Sequence, residues 1–330
     1  MPEVAPAKSA PTLSRRHVMG VATALLAGSC GPALAQEAAA KGSLVWDNMD
    51  QKALDDAYDQ SVYAPNYKLV NARRRVASLK ALEILGQPRR IPYGPTPAET
   101  LDIYRTKAAN PPIMMFVHGG AWKASDAKKD AFLAEVFVKG GAMVVMPNMI
   151  GVVEAKGDLM TLADQLRRAV AHVIRHGRDL GGDPGRLYLI GHSSGGHLGG
   201  VLVTTDWQAQ GLPARPFKAA LLGSGMYDLK PVRLSKRSKY VAFTDEIEQR
   251  LSPQRHIDRL MTPLILTHGD QETPEFQRQT NDFHRAVQAA GKPAQLLIGV
   301  ALNHYETQET LGNPYGFMGR PALAMMNLTP

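Results

Sequence analysis

Two adjacent serines stand among glycines in "LYLIGHSSGGHLGG", residues 187–200, directly after an apolar run. A serine hydroxyl becomes an acyl-transfer nucleophile on a sharp strand-to-helix turn, where the residues two before and two after it must be very small. Gly191-His192-Ser193-Ser194-Gly195 satisfies this with Ser193 at the centre. Centring on Ser194 would put His192 at the first small position, where its side chain collides with the turn. Ser193 is therefore the expected nucleophile. The backbone N–H of Ser194, at the start of the following helix, is placed to donate to an oxyanion.

The hydroxyl needs a base, and the base a carboxylate to orient it. His304, in "GVALNHYETQ", follows a short apolar run and falls where a loop can carry it to the serine. His256 and His284 lie in a polar segment and on a helical pattern, and His118, His192, His197 and His268 read as packing residues around the site. The carboxylate is sought after "PLILTHGDQETPEF". Glu272 is far enough into that loop to reach sideways. Asp270 follows Gly269 directly and stands as an alternative, although Asp in that place often closes a turn. Asp228 is a third candidate and reads better as a cap. Some 70 residues before the serine, "FVHGGAW" ends another apolar run, and its Gly-Gly lets the backbone approach a substrate closely.

The elements that must position these residues alternate. "PPIMMFVHGG", "GAMVVMPNM", "RLYLIG", "FKAALLGSG", "PLILTHGD" and "AQLLIGV" are short apolar runs bounded by Gly or Pro, as in strands buried on both faces. Helical patterns separate several of them, at "DLMTLADQLRRAVAHVIRHGRDLGG", "SGGHLGGVLVTT" and "PEFQRQTNDFHRAVQAAG". This order predicts an α/β fold, a mostly parallel central sheet with helices on both faces. "RRIPYG" and "ETLDIYRTK" read as paired strands. Residues 36–87 form an N-terminal helical arm and residues 228–261 a small cap-like insertion over the sheet's C-terminal edge, where ligands bind in this architecture. In that insertion Arg233, Lys236, Arg237 and Lys239 read as a solvated charge run, or as a cluster drawing in esters with a free carboxylate.

Composition narrows the function. At 330 residues, 44% hydrophobic and 21% charged, the chain is an ordinary globular one with no ~18-residue apolar span for a membrane. Its net charge of +8 is partly held by the first 35 residues and comes with no nucleic-acid motif, so nucleic acid is not an expected partner. Residues 1–35 read as an export signal of twin-arginine type, with Arg15-Arg16, a weakly apolar stretch and Ala33-Leu34-Ala35, so the expected location is periplasmic or secreted. The single cysteine, Cys30, lies inside that segment. Ala27 stands where a lipoprotein signal has leucine, so cleavage rather than lipid anchoring is expected. Residues 36–330 form the expected catalytic domain.

"HGGAW", "GHSSGGH", "MYDLKP" with a later "LSP", "ETPEFQRQTNDF" and "NHYETQETL" occur in an order that resembles the α/β-hydrolases of the hormone-sensitive-lipase-like group. The branch is the one holding kynurenine formamidases and small esterases. The resemblance implies an α/β-hydrolase fold with Ser193 as nucleophile, Glu272 as acid and His304 as base. It also implies an oxyanion hole from the N–H groups of Gly120, Ala121 and Ser194, and no metal or organic cofactor. The branch usually carries Asp where this chain has Glu272. Kynurenine formamidases work on a cytosolic metabolite, so the export signal favours a carboxylesterase on small acyl or aryl esters, with an aryl amidase or formamidase as the alternative. A protein that only bound a ligand would need no such set of three.

Overall fold

The computed structural model describes residues 42–123 and 126–329. The twin-arginine segment and Cys30 lie outside the described residues. The arm opens with a small antiparallel pair, β1 (Leu44–Trp46) and β2 (Met49–Asp50), then α1 (Gln51–Ala57) and α2 (Tyr67–Leu85). Strands β3 (Arg89–Pro92), β4 (Thr100–Tyr104), β5 (Pro112–Val117) and β6 (Met143–Pro147) follow, with α3 (Ala134–Lys139) between the last two. Next come α4 (Leu159–Leu180), β7 (Asp183–His192), α5 (Ser194–Val203) and β8 (Phe217–Gly223). The insertion holds α6 (Leu229–Leu234), α7 (Asp245–Arg250) and two 3-10 segments, at Lys236–Lys239 and Pro253–Arg259. The chain ends through β9 (Leu264–Gly269), α8 (Pro274–Ala289), β10 (Ala294–Gly299), α9 (His304–Glu309) and α10 (Gly319–Met325).

The eight strands from β3 to β10 form one sheet in the order β10-β9-β8-β7-β5-β6-β4-β3. Pairings are parallel from β6 through β5, β7, β8 and β9 to β10; β4 joins β6 and β3 joins β4 antiparallel. The apolar runs are continuous because successive side chains feed opposite faces and both faces are covered. On β5, Ile113, Met115 and Val117 join the core beneath α4, α5 and α8, while Met114 and Phe116 join the core beneath α3 and α10. On β7, Leu187 and Leu189 go one way and Tyr188 and Ile190 the other. Helix α4 presents Leu162, Leu166, Val170 and Val173 to the first of these cores, starts on an Asp158 side-chain cap and stops at Gly181. Among the described residues no helix is long and apolar enough to cross a membrane.

The C-terminal ends of β5, β7, β8 and β9 lie side by side in the sheet, and every residue singled out for chemistry follows one of them or β10. The arm and the insertion, far apart in sequence, are tied to each other. Gln51 Nε2 donates to Leu234 O (3.0 Å), Lys236 N to Asp55 Oδ1 (2.5 Å), Lys236 Nζ to Asp59 Oδ2 (2.6 Å) and Arg237 Nη2 to Tyr58 O (3.0 Å).

Candidate active site

Ser193 sits between the last residue of β7 and the first of α5 with φ 60° and ψ −126°. A side chain in that region is strained, at a cost of about 1–3 kcal/mol, and persists only where its surroundings enforce it. Here they do. Ser193 N donates to Gly223 O at 2.9 Å. A Cβ on Gly191 would stand 2.3 Å from Gly195 O, and one on Gly195 would stand 2.0 Å from Val117 O. The spacing of glycines about Ser193 is thus the spacing of a turn too tight for any side chain at those two places.

After β5 the backbone turns with three consecutive positive φ values, 117° at Gly120, 54° at Ala121 and 62° at Trp122. The turn packs on the elbow: a Cβ on Gly119 would meet His192 O at 2.8 Å. The N–H groups of Gly120 and Ala121 have no acceptor among the described residues. Trp122 anchors the turn. Its Nε1 donates to His197 Nδ1 (3.1 Å), and His197 Nε2 in turn donates to Leu251 O (2.8 Å), which fixes the neutral Nε2–H tautomer. Burial, foremost, lowers the His197 pKa to about 4. Lys129 Nζ reaches Gly119 O, the carbonyl of the peptide whose N–H belongs to Gly120, at 3.1 Å.

His304 opens α9, placed by an Asn303–Glu306 capping box. Its Nδ1 lies 2.7 Å from Glu272 Oε2. Glu272 is fully buried, and its other oxygen accepts from Ser224 Oγ at 2.6 Å and Gly269 N at 2.9 Å. Burial works to raise the Glu272 pKa, but the charge and hydrogen bond of His304, with the two further donors, outweigh it and hold the carboxyl below its ordinary value. The ring of His304 packs against those of His192 (4.6 Å between centroids) and Phe276 (5.1 Å). Thr307 donates its hydroxyl hydrogen to His304 O, so His192 Nε2 must donate to Thr307 Oγ1, 3.1 Å away. Burial first, and the neighbouring His304 second, keep His192 well below the ordinary histidine pKa.

Of the three carboxylates that the sequence offered, only Glu272 reaches His304. Asp270 Oδ1 accepts from Ala301 N at 2.8 Å and closes the turn after β10, and Asp228 caps α6. Ser193, His304, Gly120 and Ala121 line one cavity of about 1140 Å³, walled by the arm through Tyr58, Arg74 and Leu79 and by the insertion through Arg237 and Tyr240. The charge run of the insertion is not the uniform solvated face expected of it. Arg233 lies outside the cavity lining, held by Asp245 and Glu248, Lys236 is paired with Asp59, and Arg237 is buried. Sequence reasoning also missed Ser224, 48 residues from the carboxylate it supports; a small residue closing an apolar run, as at Gly119 and Ser193, was the available signal.

Comparison with known proteins bears on the fold and the class of protein. The BD-FAE family model matches residues 101–219. A kynurenine formamidase of Danio rerio is 30% identical over 279 residues, covering 81% of this chain and 93% of that protein. The esterase LipQ of Mycobacterium tuberculosis is 27% identical over 74% of this chain and 66% of its own length. Among solved structures, the esterase LipW of Mycobacterium marinum superposes with a TM-score of 0.62 at 17% identity, over 81% of this chain and 88% of that one. The carboxylesterase EstE1, from a metagenomic library, gives 0.64 at 17% identity, over 81% and 98%. The sheet order and the strained serine turn are those of an α/β-hydrolase, and with these relatives the chain falls in the hormone-sensitive-lipase-like group, as a hydrolase of the esterase type. Within that group the chain belongs to the branch of kynurenine formamidases and related small esterases.

Proposed function

We propose that the protein hydrolyses small carboxylic esters through an acyl-enzyme formed on Ser193. One observation carries this reading: a serine held at positive φ shares a cavity with a histidine whose Nδ1 is bonded to a buried carboxylate. With Glu272 accepting from Nδ1–H, His304 keeps Nε2 unprotonated to take the Ser193 proton as the hydroxyl attacks the carbonyl. The N–H groups of Gly120, Ala121 and Ser194 hold the tetrahedral oxyanion, each being worth ~10²–10³ in rate in sites of this kind. His304 then returns the proton to the leaving group, and water releases the acyl group by the same route. Ser193 and His304 share no hydrogen bond among the described residues; such bonds tighten when substrate closes the site.

Cleavage of an aryl formamide by the same residues is the second reading, favoured by the Danio rerio relative. The twin-arginine segment weighs toward the ester and is part of the proposal; exchange of Arg15 and Arg16 for lysine should hold the chain in the cytoplasm. The test is kcat/KM on p-nitrophenyl acetate and on N-formyl-kynurenine, with Ser193→Ala as control. Faster ester turnover that is lost with Ser193 supports the first reading, and a strong formamide preference replaces it with the second. Absence of fluorophosphonate labelling at Ser193 in folded protein would refute both and point to a ligand binder.

A further inference from the structure

A guanidinium removed from water is ordinarily paired with a carboxylate, because an uncompensated buried charge is costly. Arg237 departs from that. It is 6% exposed and lines the cavity that holds Ser193 and His304. All its hydrogen bonds go to neutral atoms. Nη1 donates to Tyr240 Oη and Nη2 to Tyr58 O, both at 3.0 Å, while the buried Nε has no partner. It forms no ion pair among the described residues. The rings of Trp122 (5.4 Å), Phe276 (5.9 Å) and Tyr58 (6.0 Å) surround it, which softens the charge without neutralising it.

The cavity offers no counter-charge of its own. Its two carboxylates are engaged, Asp59 by Lys236 at 2.6 Å and Asp130 by Arg74 at 2.7 Å. Lys123, Lys128, Lys129 and Lys239 line it as well and form no ion pair among the described residues. Position matters as much as charge. Trp122, one of the rings about the guanidinium, directly follows the Gly120-Ala121 turn, and Phe276, another of them, packs against the ring of His304. One aromatic ring therefore links Arg237 to the Gly120-Ala121 turn, and one links it to His304.

We propose that Arg237 recognises a carboxylate carried by the substrate away from its reacting carbonyl. The substrates of this site are then esters of acidic compounds, such as acyl esters of hydroxy-aryl acids or monoesters of diacids. This rests on the hydrolase reading of the Ser193 site. A planar carboxylate matches the guanidinium fork and supplies the missing charge. Arg233, which the sequence groups with Arg237, has no such role, being held by Asp245 and Glu248.

Isothermal titration of the intact protein at low salt with benzoate, benzamide and benzylamine tests this without turnover. Benzoate should bind about tenfold or more tightly than benzamide, and benzylamine more weakly than either. The benzoate preference should vanish in Arg237→Gln and persist in Arg233→Gln. In kinetics, the ratio of kcat/KM for 4-acetoxybenzoate to that for its methyl ester should fall about tenfold in Arg237→Gln and partly recover in Arg237→Lys. Equal binding of benzoate and benzamide by the unaltered protein overturns the proposal, whether or not the variants fold. So does a ratio that stays constant while both esters slow, the mark of a packing role. Benzoate preference without ester hydrolysis would uphold the carboxylate site and refute the ester reading of the Ser193 site instead.

Discussion

Exchange of Glu272 for Gln keeps shape and removes one acceptor. In the wild type, Oε2 accepts from His304 Nδ1 while Oε1 accepts from both Ser224 Oγ and Gly269 N. A glutamine can place its oxygen on only one side. With the oxygen toward Ser224 and Gly269, its NH2 faces Nδ1 and can bond only to an unprotonated nitrogen. That forces the imidazole proton onto Nε2, the atom required to accept from Ser193. With the oxygen toward His304, the NH2 opposes the fixed Gly269 N–H, leaving a buried donor unsatisfied at about 1–3 kcal/mol. The first arrangement wins, and His304 is held in the wrong tautomer. The corresponding change in a Ser-His-Asp site lowers kcat about 10⁴-fold, about 5 kcal/mol of barrier. The assay is kcat on p-nitrophenyl acetate, with thermal melting to confirm the fold. Asp270→Asn is the control: its carboxylate serves the Ala301 turn, so activity should stay within about threefold. A Glu272→Gln enzyme within tenfold of wild type, or an Asp270→Asn enzyme that falls further, would refute the reasoning.

Gly195→Ala forces a Cβ to within 2.0 Å of Val117 O and 2.7 Å of His118 O, so the elbow must move; ester turnover should drop ~10²-fold or more, and fluorophosphonate labelling with it. Ser224→Ala removes a 2.6 Å hydrogen bond to a charged, buried carboxylate and should cost about 1.5–3 kcal/mol, read as a lower urea midpoint; no change in midpoint would contradict that assignment. Burial, first of all, lowers His118 and His197 to about 4 and His192 well below 6.5. The unfolded chain therefore takes up protons below pH 6.5 that the native chain refuses. Stability should be full above that pH and fall as pH drops toward 4, by up to about 1.4 kcal/mol per histidine per pH unit. A urea midpoint that is flat from pH 7 to pH 5 would be incompatible with neutral buried histidines.

The central strands were legible because burial on both faces removes polar residues from them; β5 through β9 needed only a reading of apolar runs between Gly and Pro. Ser193 was legible for a different reason, since a volume limit at Gly191 and Gly195 can be read from residue types alone. The choice between Glu272 and Asp270 was not local. It depends on Asp270 being drawn to Ala301, 31 residues on, and on Glu272 meeting Ser224, 48 residues back. What separates Arg237 from its neighbours in the charge run was hidden for the same reason: "SKRSK" has the composition of a solvated run, and nothing nearby shows that Tyr58, Trp122 and Phe276 converge on one of its cations. Helices α3 and α10 escaped because six or seven residues give too little periodicity to register.

The four hydrogen bonds between α1–Asp59 and residues 234–237 have a consequence for anyone reshaping this pocket. The arm and the insertion are separate in sequence but form a single mechanical part, and Asp55, Asp59 and Tyr58 on one are matched to Lys236 and Arg237 on the other. Grafting a relative's arm alone would strand Lys236 wherever that arm lacks carboxylates at the places of Asp55 and Asp59, and would keep the backbone carbonyl that Arg237 uses only if the chain path at Tyr58 is kept. Chimeras that exchange both segments as a pair are the ones that keep an intact wall above an unaltered Ser193–His304 floor.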